Sequence, residues 1–220
     1  MARMNIAVLI SGRGSNLQSL IDACADPDFP AEISLVLSNR PEAQGLKRAE
    51  KAGIATLVVD HTEYDSRPDF ESALHAALTD AGIELVCLAG FMRLLDAEFV
   101  SKWRNRIINI HPSLLPAYRG LRTHERVIED GARFTGCTVH FVRPEMDDGP
   151  IIIQAVVPVS PEDTSESLAR RVLAFEHRIY PEAVRLVATG AARVSGSRVM
   201  LKHCETPVDG LISPKLPAKE

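Results

Sequence analysis

Five short runs of apolar, largely β-branched residues recur through the first half of the chain: Ile6 to Ile10, Ile33 to Leu37, Thr56 to Val59, Leu85 to Ala89 and Ile107 to Ile110. Between them stand segments with helical spacing of apolar positions, at Leu17 to Ala25, Ala43 to Ala52 and Phe70 to Ala81. Strands separated by helices pair in parallel, because a parallel neighbour can be reached only by a crossover of that length. Polar residues seldom interrupt the runs, so each strand is expected to be covered on both faces. The chain is therefore read as α/β, a mostly parallel twisted sheet flanked by helices.

The rhythm changes after Gly136. Thr138 to Val142 and Ile151 to Pro158 flank the turn-rich stretch Arg143 to Pro150, which predicts two strands joined by a loop and an antiparallel portion in the C-terminal third. A helix is predicted from Ser165 to Thr189, opened by Ser165 or Asp163, ended by Gly190, and broken or kinked at Pro181. Ala192 to Lys202 reads as a hairpin turning at Gly196, and the proline-containing stretch 206–220 as an irregular tail. With 220 residues and 45% hydrophobic content, one substantial core is expected, giving a single domain over 1–205.

A net charge of -4 with interspersed signs leaves no basic stripe for nucleic acid. Met1 to Met4 leads straight into an apolar run too short for a signal peptide or membrane span, so a cytoplasmic protein that does not engage membranes is expected. Cys24, Cys87, Cys137 and Cys204 form no Cys-x-x-Cys pair, which predicts free thiols and no metal site.

Chemistry concentrates at the ends of the predicted strands. The first ends in Ser11-Gly12-Arg13-Gly14-Ser15-Asn16 and enters a helix, so its glycines, polar side chains and free amides can cradle a phosphate. A dinucleotide fingerprint begins at Gly12-x-Gly14, but Leu17 stands where the third glycine belongs. The second strand ends in Ser38-Asn39-Arg40 without an acid for a ribose diol, and Arg40 could instead meet an NADP phosphate. At the fifth strand, Asn109 and His111 are two residues apart and share a face, one a fixed donor and the other a proton carrier. Pro112 stops the ladder behind them. Such a pair suits acyl-type transfer.

The stretch Asn109-Ile110-His111-Pro112-Ser113-Leu114-Leu115-Pro116, with Asp147 in Met146-Asp147-Asp148-Gly149-Pro150, resembles the signature of the folate-dependent formyltransferases. Together with Ser11-Gly12-x-Gly14-Ser15-Asn16, Gly90-Phe91-Met92-Arg93 and Glu176-His177, the order looks like that family's purine-biosynthesis branch, over Ile6 to about Pro181. The resemblance implies a Rossmann-like formyltransferase fold and transfer of the formyl group of 10-formyltetrahydrofolate to the amine of 5-phosphoribosylglycinamide (glycinamide ribonucleotide). It implies catalysis by Asn109, His111 and Asp147. Gly14, Ser15, Asn16 and Glu176 would hold phosphate and ribose. Arg67, Met92, Arg93, Leu94, Leu95, Asn109, Arg143 and Asp147 would line the folate pocket. Partners would be these small molecules alone, without metal, in a monomer or homodimer. The sequence departs from the family's pattern at Asp148, where glycine is common, and at Arg13 in the phosphate loop.

On this reading the amine attacks the formyl carbon, Asn109 and His111 stabilise the oxyanion, and Asp147 favours the protonated imidazole and orders a proton-carrying water. Two other functions use parts of the same equipment. A non-catalytic binder of nucleotide-sugar phosphates needs the glycine loop but not the triad, and a formyl-folate hydrolase needs the triad but not Ser15 and Asn16. His140 and His177 receive no role from the sequence.

Overall fold

The computed structural model describes residues 2–202, 204–205 and 210–213. A seven-stranded sheet is built from β1 (Met4–Ile10), β2 (Ala31–Ser38), β3 (Thr56–Val58), β4 (Leu85–Leu88), β5 (Ile107–His111), β6 (Phe134–Phe141) and β7 (Ile151–Pro158) in the order β3-β2-β1-β4-β5-β6-β7. β1 to β5 pair in parallel, while β6 and β7 pair antiparallel. The predicted fold class and its antiparallel portion are both present. β8 (Ala192–Ser195) and β9 (Arg198–Leu201) form the separate hairpin around Gly196.

Helices α1 (Ser15–Cys24), α2 (Gln44–Lys51), α3 (Arg67–Asp80), α4 (Ala97–Lys102), α5 (Thr123–Glu129) and α6 (Ser165–Ala188) cover the sheet. The alternation along β1 shows why both faces are apolar. Ile6, Val8 and Ile10 enter one core with Leu17, Leu20, Leu46 and Val184, while Ala7 and Leu9 enter a second with Phe70, Leu74, Phe99 and Trp103. Each fully buried leucine or isoleucine in these layers contributes about 1.5–3 kcal/mol relative to exposure.

α6 differs from its sequence reading in two ways. Its cap is Thr164, whose side chain accepts from Ser167 N–H while the Ser167 hydroxyl returns a bond to the Thr164 backbone. Asp163 is drawn instead into an ion pair with Arg171, which pulls its carboxyl well below the ordinary range. Pro181 does not break the helix, although it has no N–H for the His177 carbonyl. Tyr180, Ala183 and Val184 are fully buried around it, and Tyr180 Oη donates to the Leu88 carbonyl at 2.9 Å, so packing on the sheet outweighs the lost bond. Two short helices, α4 and α5, carry too little periodicity to be read from sequence. No helix among the described residues is long and apolar enough to cross a membrane. Of the tail, 206–209 and 214–220 lie outside the described residues, as does His203, and 210–213 is neither helix nor strand.

Candidate active site

β1, β4 and β5 are adjacent and parallel, so the loops at their carboxyl ends share one edge of the sheet, where open α/β sheets bind ligands. The β1 loop encloses a cavity of about 350 Å³ lined by Ser11 to Asn16, Arg40, Ala89, Gly90 and Met92. Gly14 caps α1 with φ +70, and a Cβ there would lie 2.7 Å from the Gly45 backbone. Only glycine permits this approach of the loop to α2, which is fastened by Gly45 N–H to the Gly12 carbonyl at 3.0 Å. No side chain caps the first turn of α1 and no acid lies in it, leaving its amides open to an anion.

One turn before Tyr180, α6 delivers Glu176 to the same edge. Glu176 is buried and accepts a 2.7 Å hydrogen bond from Asn16 Nδ2, so it is not a solvated helix carboxylate. Burial pushes its carboxyl up from the ordinary glutamate range, with the Asn16 bond acting against that shift. Asn16 Oδ1 is buried and has no hydrogen-bond partner among the described residues. The Ser11 hydroxyl joins this loop to the next, donating to Asn39 Oδ1 at 2.5 Å and accepting from Met92 N–H at 2.8 Å.

Asn109 and His111 project from one face of β5, as their spacing requires, and the antiparallel register sets His140 and Thr138 of β6 directly opposite them. Asp147 comes over from the β6–β7 loop. Its Oδ2 lies 3.4 Å from His111 Nδ1 and accepts Gly120 N–H at 2.9 Å, and its Oδ1 lies 3.8 Å from His140 Nε2. The loop reaches this position through Asp147 at φ +53 and through Gly149, where a Cβ would fall 1.6 Å from the Phe141 carbonyl oxygen. Asp148 forms an ion pair with Arg119, tying the β6–β7 loop to the β5–α5 loop.

The hydrogen bonds assign protons. His140 Nδ1 is 3.0 Å from the Phe141 carbonyl, which can only accept, so Nδ1 carries the hydrogen and Nε2 accepts from Asn109 Nδ2 at 3.3 Å. Burial holds His140 below the usual imidazole range, keeping it neutral for that task. His111 Nε2 is 2.9 Å from the Tyr118 carbonyl and therefore carries a hydrogen as well. With Asp147 on the other side, the His111 ring donates from both nitrogens only as an imidazolium.

The expected folate residues are more dispersed. Met92, which lines the cavity, and Leu94 are 66% and 63% exposed and are not core residues, whereas Leu95 is buried in the core that holds Phe99. Arg93 is exposed. Arg67 pairs with Glu71 at 3.0 Å. Arg143 donates to the Val142 carbonyl and to Asn105 Oδ1, at 2.8 and 2.7 Å. Sequence reasoning passed over His140, although its place two residues after Thr138 on a strand that had to pair somewhere was a legible signal. The backbone partners Tyr118 and Gly120, and the Ser11–Asn39 link, carried none.

This edge thus brings together a glycine-loop cradle and an Asn/His/Asp cluster, and the chain belongs to the formyl transferase family, whose model matches residues 4–184. Within that family it is 43% identical over 207 residues to phosphoribosylglycinamide formyltransferase of Escherichia coli, covering 94% of this chain and 98% of that protein. It is 52% identical over 192 residues to the trifunctional purine biosynthetic protein adenosine-3 of Gallus gallus, covering 87% of this chain and 19% of that much longer protein. Glycinamide ribonucleotide transformylase 1 from Symbiobacterium toebii superposes with a TM-score of 0.88 at 49% identity, over 90% of this chain and 94% of that one.

Proposed function

We propose that this chain transfers the formyl group of 10-formyltetrahydrofolate to the amine of glycinamide ribonucleotide. The observation that carries this reading is the polar chain Asn109–His140–Asp147–His111, with steps of 3.3, 3.8 and 3.4 Å, assembled beside the cavity of the β1 loop on the same sheet edge. The ends of β1 and β5 are two strand spacings apart, about 10 Å. That separation suits a ribose phosphate held at the cradle with its glycinamide arm directed toward Asn109.

Phosphate binds the open amides of α1 with Ser15 and Asn16, and Glu176 faces the ribose end. The folate lies along Met92 to Leu95 with Arg67 at its tail, and the β6–β7 loop from Arg143 to Asp147 covers it. The amine nitrogen attacks the formyl carbon, a carbon–nitrogen bond forms, and the carbonyl oxygen becomes an oxyanion. One hydrogen of Asn109 Nδ2 goes to His140 and the other is free to meet that oxygen. His111 Nδ1, whose 3.4 Å contact to Asp147 is the longer of its two, is the side that turns to the oxyanion. Asp147 then orders the water that carries a proton from the attacking amine to N10 of the folate as the carbon–N10 bond breaks.

The test follows loss of the formyl group by folate absorbance, with and without glycinamide ribonucleotide. Turnover that depends on the amine is expected. Equal turnover without it identifies a hydrolase and refutes the transferase.

A further inference from the structure

Glu71 is a buried carboxylate that the polar chain at the sheet edge does not use. It stands on α3 with 4% of its surface exposed, and its Oε1 accepts from Arg67 Nε at 3.0 Å and from the Asp96 backbone N–H at 2.9 Å. Its Oε2 is buried too and has no hydrogen-bond partner among the described residues. Burial raises the carboxyl above the ordinary glutamate range, with the Arg67 bond pulling the other way. A half-satisfied buried carboxylate costs stability, and the two donors on Oε1 are what hold it there. The fold needs an acceptor here for the Asp96 N–H, and a neutral one would serve it as well.

What Glu71 does is fix a direction. The Asp96 amide ends the Met92–Asp96 segment and pins Oε1, and Oε1 holds Arg67 by Nε alone. The Arg67 side chain is 42% exposed, and its two terminal NH2 groups make no hydrogen bond among the described residues. A guanidinium held in this way presents a planar fork that matches a carboxylate. It also has less rotamer freedom left to lose when a ligand arrives.

We propose that Glu71 is a positioning residue for the folate site, aiming Arg67 at a carboxylate of the co-substrate's glutamate tail. This rests on the reading that Arg67 and Met92 to Leu95 line the folate pocket. The negative charge of Glu71 opposes a second carboxylate, so its benefit is orientation. A substitution that keeps its shape and acceptor should therefore preserve function where an apolar one does not.

Glu71→Gln, Glu71→Leu, Arg67→Ala and the Arg67→Ala/Glu71→Leu double variant are compared by steady-state kinetics and thermal melting. Glu71→Gln should keep the folate KM within about threefold of wild type. Glu71→Leu should raise it about tenfold, the scale on which outer partners affect a binding group, while leaving kcat and the ribonucleotide KM within twofold. It should melt below the wild-type temperature, because the Asp96 N–H loses its acceptor, and remain folded at the assay temperature. The double variant should match Arg67→Ala within twofold. With a folate analogue ending at the aminobenzoyl group, the Glu71→Leu defect should vanish. A raised folate KM in Arg67→Ala but not in Glu71→Leu overturns the role of Glu71 and spares that of Arg67. An unchanged folate KM in Arg67→Ala removes Arg67 from the folate pocket. Failure of Glu71→Leu to fold would make Glu71 a structural anchor and overturn the proposal.

Discussion

Replacing Asn16 with alanine removes the only hydrogen-bond donor that the structure gives to the buried Glu176 carboxylate, the 2.7 Å bond from Nδ2. A hydrogen bond to a charged group contributes about 1.5–3 kcal/mol, and one to a neutral group about 0.5–1.5 kcal/mol. For a chain of this size, 1 kcal/mol corresponds to about 2–4 °C in Tm. The loss should therefore be several degrees at the high-pH side of the Glu176 titration, where the carboxylate is charged, and distinctly smaller at the low-pH side, where it is protonated. The sign follows from burial. Glu176 titrates above its unfolded range, so its contribution to stability is full at low pH and is lost as pH rises through the folded pKa. Removing Asn16 raises that folded pKa further and deepens the loss at high pH. Thermal melting of both proteins between pH 5 and 8 measures the difference, and Glu176→Gln in the Asn16→Ala background should recover most of it. A melting difference independent of pH would refute the charged pairing. The same variant should weaken glycinamide ribonucleotide binding while leaving folate binding nearly unchanged, as read by calorimetric titration of each ligand.

His111→Ala and Asp147→Asn should each lower kcat about a hundredfold or more. The double variant should fall well short of the product of those losses, and full multiplicativity in steady-state assays would show that the two act independently. His140→Phe deprives Asn109 of its acceptor and should lower kcat about tenfold, less than the ~10²–10³ cost of removing an oxyanion donor; a kcat equal to wild type would remove His140 from the site. Gly149→Ala must move the β6–β7 loop, since its Cβ would lie 1.6 Å from the Phe141 carbonyl oxygen. It should lower both Tm and kcat, and a crystal structure with Asp147 undisplaced would contradict that account.

The sheet was legible because burial on both faces writes itself into sequence as continuous β-branched runs, and crossover helices write a 3.6-residue period between them. Asn109 and His111 were legible for a related reason: the period of a strand is two, so their shared face followed from spacing alone. Pro181 does not break the helix, because the side chains around it are fully buried on the sheet and packing prevailed over the local rule. The cap of α6 moved to Thr164 because Asp163 found a stronger partner in Arg171, one that only the folded chain supplies. His140 became a partner of Asn109 only through the β5–β6 register, and Asp147 meets His111 only because Gly149 lets its loop lie against Phe141. Asn16 and Glu176 are 160 positions apart and meet through the path of α6 across the sheet. Sequence periodicity records which side of an element is buried and which residue types stand at its ends. Pairing register, loop path and long-range contact depend on the simultaneous packing of all the elements, so those were settled by the tertiary structure alone.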